Sequence, residues 1–297
     1  MKNRFLIIAI VLVAFMIIKK QSVNQPSTLR IITYNVWKGF EDAPERHTAF
    51  IEWMKAQNPD IVALQELKGY TKEQLQSQAN EWGHAYSTLL ETKTDYHIGL
   101  TSSQPIKTLE TNQDMMAHGL LHCKTAGMDL FVTHLSPFTY KKRQDEVTFI
   151  AEEIASISNE SIILLGDFNA LSPKDSIWYA STTLYQYFFE RDFIYDSNSN
   201  LNKGKLDYSV MSGLDQIGLV DLMNNYQPTF PTKCKFESNS FSKYSQEAIQ
   251  NILRRIDYIY ASPHMLQYST NVYVVDTDQT NMISDHFPVI AEFEFHE

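Results

Sequence analysis

From Leu29 onward, short apolar runs alternate with polar clusters and with stretches of helical spacing. Leu29-Arg-Ile-Ile-Thr-Tyr and Ile61-Val-Ala-Leu-Gln have the length and β-branched content of strands. Met128-Asp-Leu-Phe-Val-Thr, Ser161-Ile-Ile-Leu-Leu-Gly, Arg255-Ile-Asp-Tyr-Ile-Tyr-Ala and Val289-Ile-Ala-Glu-Phe-Glu-Phe follow the same form. Between them, apolar spacing predicts helices over Arg46 to Ala56 and Lys141 to Ile157. This alternation predicts a mixed α/β domain whose helices cover sheet faces. The aromatic stretch from Trp178 to Tyr195 has helical spacing, which predicts Trp178, Tyr185, Phe188 and Phe189 packed on the core. Its competing reading is an aromatic wall of a substrate pocket or a membrane-facing lip. Gln227 to Gln250, with Lys233, Lys235 and Lys243 among Ser and Asn, reads as a solvated surface loop just before the strand that carries Asp257, with a border of the cleft as its second reading.

The N-terminus has a different pattern. Lys2 and Arg4 precede an unbroken apolar run from Phe5 to Ile18, closed by Lys19 and Lys20. A basic region before a short apolar run is the form of an export signal. No small-residue cleavage site follows, so residues 1–20 read first as an uncleaved signal anchor and second as a cleaved signal peptide. Residues 21–28 form a polar linker with Pro26, and residues 29–297 form one domain. The expected location is membrane-anchored with the domain outside the cytoplasm, or secreted if the segment is cleaved.

Composition narrows the function. With 43% hydrophobic and 12% aromatic residues, the chain can build a large core and is not disordered. The formal net charge of −10 becomes two units more negative without Lys2 and Arg4. An acidic body does not draw in polyanions, so nucleic acid is the less favoured partner. Cys123 and Cys234 fit no disulfide framework and no CxxC metal site; buried thiols are expected.

Chemistry-bearing residues gather at the strand ends. Strand one ends at Asn35, strand two at Gln65-Glu66, the strand from Met128 at His134, and the strand from Ser161 at Asp167-Phe-Asn169. Asp257 and Asp285-His286 come near the C-terminus. Carboxylates, amides and imidazoles together suit a hard cation and a phosphate, because Mg²⁺ takes few protein carboxylates and keeps positions for substrate oxygens. Singly, each has a plain reading: Asn35 as a turn residue, Asp167-Phe-Asn as an Asx turn, Glu66 as a surface carboxylate, His134 as a half-buried histidine. Asp257 inside an apolar strand needs a partner, which His286 would supply.

Thr33-Tyr-Asn-Val, Leu64-Gln-Glu-Leu, Thr133-His-Leu, Gly166-Asp-Phe-Asn-Ala, Arg255-Ile-Asp-Tyr-Ile and Ser284-Asp-His-Phe-Pro-Val occur in that order. They resemble the motifs of the endonuclease/exonuclease/phosphatase superfamily, which includes DNase I-like nucleases, abasic endonucleases, neutral sphingomyelinases and inositol polyphosphate 5-phosphatases. The resemblance spans Leu29 to Phe295. It implies a four-layer α/β sandwich with two central β-sheets flanked by helices, and a monomeric Mg²⁺-dependent phosphoester hydrolase, with Mn²⁺ as an acceptable substitute. It further implies Glu66 as the principal metal ligand with Asn35 and Asp285 nearby. Asp167 would orient or deprotonate the attacking water and Asn169 would bond the phosphate or the nucleophile. His286, held by Asp257, would contact the phosphoryl oxygens or act as base, and His134 would protonate the leaving group. That second histidine disfavours the abasic-endonuclease branch.

Two departures bear on substrate. Ser102-Ser-Gln-Pro-Ile lacks the arginine that many relatives carry after the serine, and His118 stands where an arginine often precedes Gly-Leu-Leu. Fewer cations there weaken contacts to a polyphosphate or nucleic-acid backbone. The expected substrate is therefore a phospholipid head group or other small phosphoester, the alternative a DNase I-like nuclease. A silent binding module is third, because the site residues are intact.

Overall fold

The computed structural model describes residues 28–41, 43–234 and 241–296. The segment assigned to the membrane, residues 1–20, lies outside the described residues, as does Lys235. Among the described residues no helix is long and apolar enough to cross a membrane.

In chain order the strands are β1 (Thr28–Asn35), β2 (Ile61–Gln65), β3 (Tyr86–Leu90), β4 (Ile98–Ser102), β5 (Lys107–Asn112), β6 (Leu120–Thr125), β7 (Met128–His134) and β8 (Ile162–Asp167). A small hairpin follows, β9 (Leu201–Asn202) and β10 (Lys205–Leu206), then β11 (Val220–Asp221), β12 (Asp257–Ala261), β13 (Ser269–Val274) and β14 (Val289–Glu294). The main helices are α1 (Pro44–Gln57), α2 (Lys72–Glu81), α3 (Tyr140–Ala155), α4 (Ser176–Tyr179), α5 (Leu184–Ile194) and α6 (Ser209–Gln216). One six-stranded sheet runs β13-β14-β1-β2-β4-β3 and the other β11-β12-β8-β7-β6-β5. Each has a parallel central pair, β1 with β2 and β7 with β8, flanked by antiparallel neighbours.

The period of two along each strand sorts side chains into layers. Leu29 and Ile31 of β1, Ile61 and Ala63 of β2, Leu130 and Val132 of β7, and Ile163 and Leu165 of β8 meet between the sheets. The alternate residues point outward. Ile32, Tyr34, Val62 and Leu64 pack on Phe50, Trp53 and Met54 of α1 and Leu75 and Ala79 of α2. Phe131, Ile162, Leu164, Tyr258 and Tyr260 pack on Val147 and Ile150 of α3 and Val210 and Leu214 of α6. This is the four-layer sandwich that the motifs imply. Because both faces of the central strands are buried, their sequences read as continuous apolar runs. Each large aliphatic side chain so buried contributes about 1.5–3 kcal/mol.

The strands the sequence did not announce are mostly the edges. β5 is exposed along nearly its whole length, and β13 is half exposed, so neither carries an apolar signature. Helix limits come from local chemistry: α1 opens on Pro44 and stops at Asn58 with φ 46°, and α2 opens on a Thr71–Gln74 capping box.

His84 ties the far end of the first sheet, its ring nitrogens bonding Thr101 Oγ1 and the Pro59 carbonyl at 2.8 Å each. Burial lowers its pKa, with the Pro59 carbonyl partly opposing. A lowered histidine pKa means the unfolded chain takes up the proton first, so the stability His84 confers is present above about pH 6.5 and is lost as pH falls below it. His84→Ala is therefore expected to cost about 1–3 kcal/mol at pH 7.5. That cost should shrink toward pH 5, as read from paired denaturation curves; a cost that grows on acidification would reverse the assigned sign.

Candidate active site

Strand direction and parity assemble the site. β1 and β2 run parallel, as do β7 and β8, so their C-terminal ends share one edge of the sandwich. β12 and β14 run antiparallel to these, which brings the start of β12, and the residues just before β14, to the same edge. Asn35 continues the inter-sheet face of Ile31, His134 that of Val132, and Asp167 that of Leu165, while Asp257 opens the inter-sheet face of Ile259. Asp167 pairs in register with His134 on one side and with Asp257 on the other. Gly166 permits this closeness: its φ is +140° and a Cβ there would stand 1.9 Å from the Thr133 carbonyl oxygen.

The side chains then bond across the sheets. Asn35 Nδ2 donates to Glu66 Oε1 at 3.1 Å and to Asp167 Oδ2 at 3.0 Å, joining the two sheets' carboxylates. Asn35 Oδ1 accepts the Trp37 N–H, and Glu66 Oε2 accepts the Lys38 N–H. Asp167 Oδ1 accepts the Asn169 N–H at 2.8 Å, while Asn169 Nδ2 donates to the Leu135 carbonyl. His286 Nδ1 bonds Asp257 Oδ2 at 2.9 Å, and its Nε2 lies 3.7 Å from Asp167 Oδ2. His134 Nε2 approaches that same oxygen at 3.5 Å. Trp37, Lys38, Glu66 and Asn169 all have φ between 48° and 59°. Such backbone costs on the order of 1–3 kcal/mol per residue and concentrates at functional sites.

Burial sets the protonation. Asp167 is raised to about 7 by burial and by Asp257, against the pull of His286 and of the bonds from Asn169 and Asn35. Burial disfavours the charged form of His286, but Asp257 and Asp167 outweigh it and raise the imidazole to about 10. His134 is driven well below its ordinary value, first by burial and then by His118 and His286. An imidazolium between two aspartates thus lies beside a neutral imidazole.

Asp167, Asp257 and His286 offer ligand atoms within 4.8 Å of one another. Their geometry suits a proton better than a metal ion, because the Asp257–His286 bond and the two flanking carboxylates stabilise a cation on the imidazole itself. A divalent cation fits the other side of the cleft. There Asp285 Oδ1 is buried with no hydrogen-bond partner among the described residues. Burial raises Asp285 to about 6, with His286 lowering it and the Glu66 charge raising it. Two carboxylates that repel each other, one with an unanswered buried oxygen, form a donor set of hard oxygens for Mg²⁺ or a similar ion. Asn35 presents its nitrogen to the carboxylates, so its part on this side is to bridge Glu66 and Asp167.

A cleft of about 370 Å³ opens over these groups and is also walled by Tyr96, His118, Phe138, Tyr187, Phe188, Arg191, Phe230, Phe241 and Arg254. His118 stacks on His134 with ring centroids 4.4 Å apart. The aromatic stretch departs from the packing expected of it. Trp178, Tyr185 and Phe189 are exposed, and Tyr179 and Leu184 are buried in their place. A break between α4 and α5 shifts the helical phase, so one continuous 3.6-residue pattern does not apply. Tyr187 and Phe188 form the pocket wall of the competing reading. Gln227 to Gln250 does border the cleft, through Phe230 and Phe241, whereas Lys233 and Lys243 are exposed. Arg254 had a sequence signal, a second arginine directly before the Arg255-Ile-Asp motif; Phe230 had none. Cys123 and Cys234 are both buried and no disulfide joins them.

A family model described as Endonuclease/Exonuclease/phosphatase family matches residues 32–286. No curated protein matches the chain in sequence. Among solved structures, the fold is similar to an AP endonuclease from Archaeoglobus fulgidus, with TM-score 0.64 and 18% identity over 90% of this chain and 100% of that one. It is also similar to the 3' phosphatase NExo from Neisseria bound to product DNA hairpin, with TM-score 0.62 and 20% identity over 90% and 100%. The 3'-5' exonuclease NExo from Neisseria meningitidis gives TM-score 0.62 and 18% identity over the same shares. At these identities the likeness carries the fold.

Proposed function

The chain belongs to the endonuclease/exonuclease/phosphatase family, and from that premise we propose that it is a divalent-metal-dependent hydrolase of a small phosphoester, a phospholipid head group included, held at a membrane by residues 1–20. The observation that carries the chemistry is the row Asp257–His286–Asp167, bonded or paired at 2.9 and 3.7 Å, beside the unanswered Asp285 oxygen. Glu66 and Asp285 would hold the cation, with Asn35 locking Glu66 to Asp167. When bound, a divalent cation offsets charge that develops on the phosphoryl oxygens. Asp167, raised to about 7, takes the proton of the attacking water. His286 stays protonated and donates from Nε2 to a phosphoryl oxygen, while Asp257 accepts from Nδ1 and fixes the ring's orientation. Asn169 has a second amide N–H for the same group. His134 is neutral until a phosphate beside it restores its affinity for a proton, which it then passes to the leaving group.

A panel of phosphomonoesters and phosphodiesters, assayed with Mg²⁺, with Mn²⁺ and with chelator, tests this reading. Hydrolysis of at least one ester with either metal and a loss of about 10³-fold in chelator are expected; undiminished turnover in chelator would sink the metal assignment. A second reading, a nuclease, is favoured by the aromatic rings at the cleft, since rings of this kind stack nucleobases. DNA in the same panel separates the two.

The tether is tested by deletion. The first strand opens at Thr28, the last residue assigned to the polar linker. Removing residues 1–24 is expected to leave kcat/KM on a water-soluble ester within about twofold and to move the protein from the membrane to the soluble fraction. An insoluble product would place the segment in the fold instead, and a shortened full-length protein in the medium would mark a cleaved signal.

A further inference from the structure

Arg254 is a buried cation in the cleft with no acidic partner among the described residues. It is 6% exposed. Its Nη1 donates to the Ile252 carbonyl at 2.9 Å, and no carboxylate among the described residues lies within ion-pairing distance. Its neighbour Arg255 shows the contrast: equally buried, it takes Asp175 and Asp221 in three hydrogen bonds. The Arg254 guanidinium instead faces the rings of Phe230 at 4.5 Å, Tyr187 at 5.0 Å and Phe188 at 5.4 Å. Rings hold a cation weakly, at about 0.5–2 kcal/mol each, so they can keep Arg254 in place without answering its charge. Beyond the Ile252 carbonyl and the Tyr187 side chain, the guanidinium has further N–H groups, and a planar guanidinium matches phosphate oxygens bidentately. Arg191, half-buried on α5 over Tyr187 and Tyr195, lines the same cleft, and no salt bridge of its own is found among the described residues.

Position ties this pair to the chemistry. The Phe230 ring is a neighbour of both Arg254 and the catalytic imidazole, 4.5 Å from the guanidinium and 4.5 Å from the His286 ring. The two groups therefore share one ring as a common neighbour. An anion at Arg254 and a phosphate at His286 sit within the span of one small substrate. The cations missing at Ser103 and His118 thus have counterparts on this wall.

We propose that Arg254, supported by Arg191, forms a second anion subsite, and that the substrate carries a second phosphate a few bonds from the one that is hydrolysed. This rests on the reading of the cleft as a phosphoester hydrolase. The second phosphate has two chemical sources, a flanking nucleotide or a second ester on a small polyol.

The test compares full-length protein with Arg254→Met, which removes the charge, and with Arg254→Lys, which retains it without the fork. The kcat/KM of a sugar bisphosphate is divided by that of its monophosphate, and that of a 5'-phosphorylated dinucleotide by that of its unphosphorylated form. One ratio in the wild type is expected at about 10- to 100-fold, falling to near unity in Arg254→Met and to an intermediate value in Arg254→Lys. The larger ratio names the source. Ratios near unity in the wild type, or unchanged in both variants, overturn the subsite and leave the hydrolase standing. If no ester is cleaved, the hydrolase reading fails by itself, and calorimetry with inorganic pyrophosphate still decides the subsite. Binding about tenfold tighter to the wild type than to Arg254→Met supports it; equal binding overturns it.

Discussion

Glu66→Gln should lower kcat/KM by about 10³-fold, equivalent to about 4 kcal/mol of transition-state stabilisation, with little change in melting temperature. Glu66 is only half-buried and follows the last residue of β2, so the core does not depend on its charge. Its two oxygens accept from Asn35 Nδ2 and from the Lys38 N–H, and a glutamine keeps one acceptor for these while losing the negative charge that faces Asp285. The loss should therefore fall on metal affinity and on turnover at saturating metal, not on folding. Titrating Mg²⁺ against activity, with calorimetry of metal binding beside it, separates the two. A wild-type rate at ordinary Mg²⁺ would remove Glu66 from the metal site.

The second expectation concerns coupling. Asp257→Asn and His286→Ala should each cost about 10²–10⁴-fold in kcat, and the double replacement should cost little more than the worse single. The reason is that Asp257 acts through His286: their 2.9 Å bond fixes the ring, and the aspartate charge helps raise the imidazole to about 10. Once the ring is gone, the aspartate has nothing to orient. Losses that multiply in the double-mutant cycle would show two independent roles. Folding must be measured in the same proteins, because His286→Ala leaves Asp257 a buried carboxylate that keeps only its backbone setting, in which Thr229 Oγ1 accepts the Ile256 and Asp257 N–H groups.

Protonation refines the roles implied by resemblance. Between Asp167 and His286 as the base, the electrostatics favour Asp167, because the two carboxylates that flank His286 keep its proton in place. His134 lies against Asp167 as a neutral ring, with Nδ1 buried and unbonded among the described residues, so its acid role depends on the charge a substrate brings.

The exposed side chains beside the cleft are a separate feature. Ile177, Trp178, Phe189, Phe193 and Ile194 stand out from α4 and α5 while Tyr187 and Phe188 turn inward. Helical spacing alone predicted several of these rings in the core, since a periodic pattern marks a face without saying which side of it is covered.

With the sandwich implied by the resemblance of the motifs, the sequence by itself determined the alternation of strands and helices, the helices covering sheet faces, and the identity of the groups at the strand ends. It could do so because these are local properties: a run of Ile and Val residues, a period of two, an Asp-Phe-Asn turn. It also flagged Asp257 as needing a partner, from the cost of burying a carboxylate. Only the tertiary structure decided what those groups do to one another. Asn35 bridges two sheets, Asp167 stands between two imidazoles, and Asp285 keeps an oxygen without a partner among the described residues, because β1, β2, β7 and β8 end at the edge where β12 begins. The arginine-and-ring wall was equally hidden, for Phe230, Tyr187 and Arg254 meet only through packing. Charge and hydrogen bonding depend on distances of a few ångströms in space, and separation along the chain does not encode those distances.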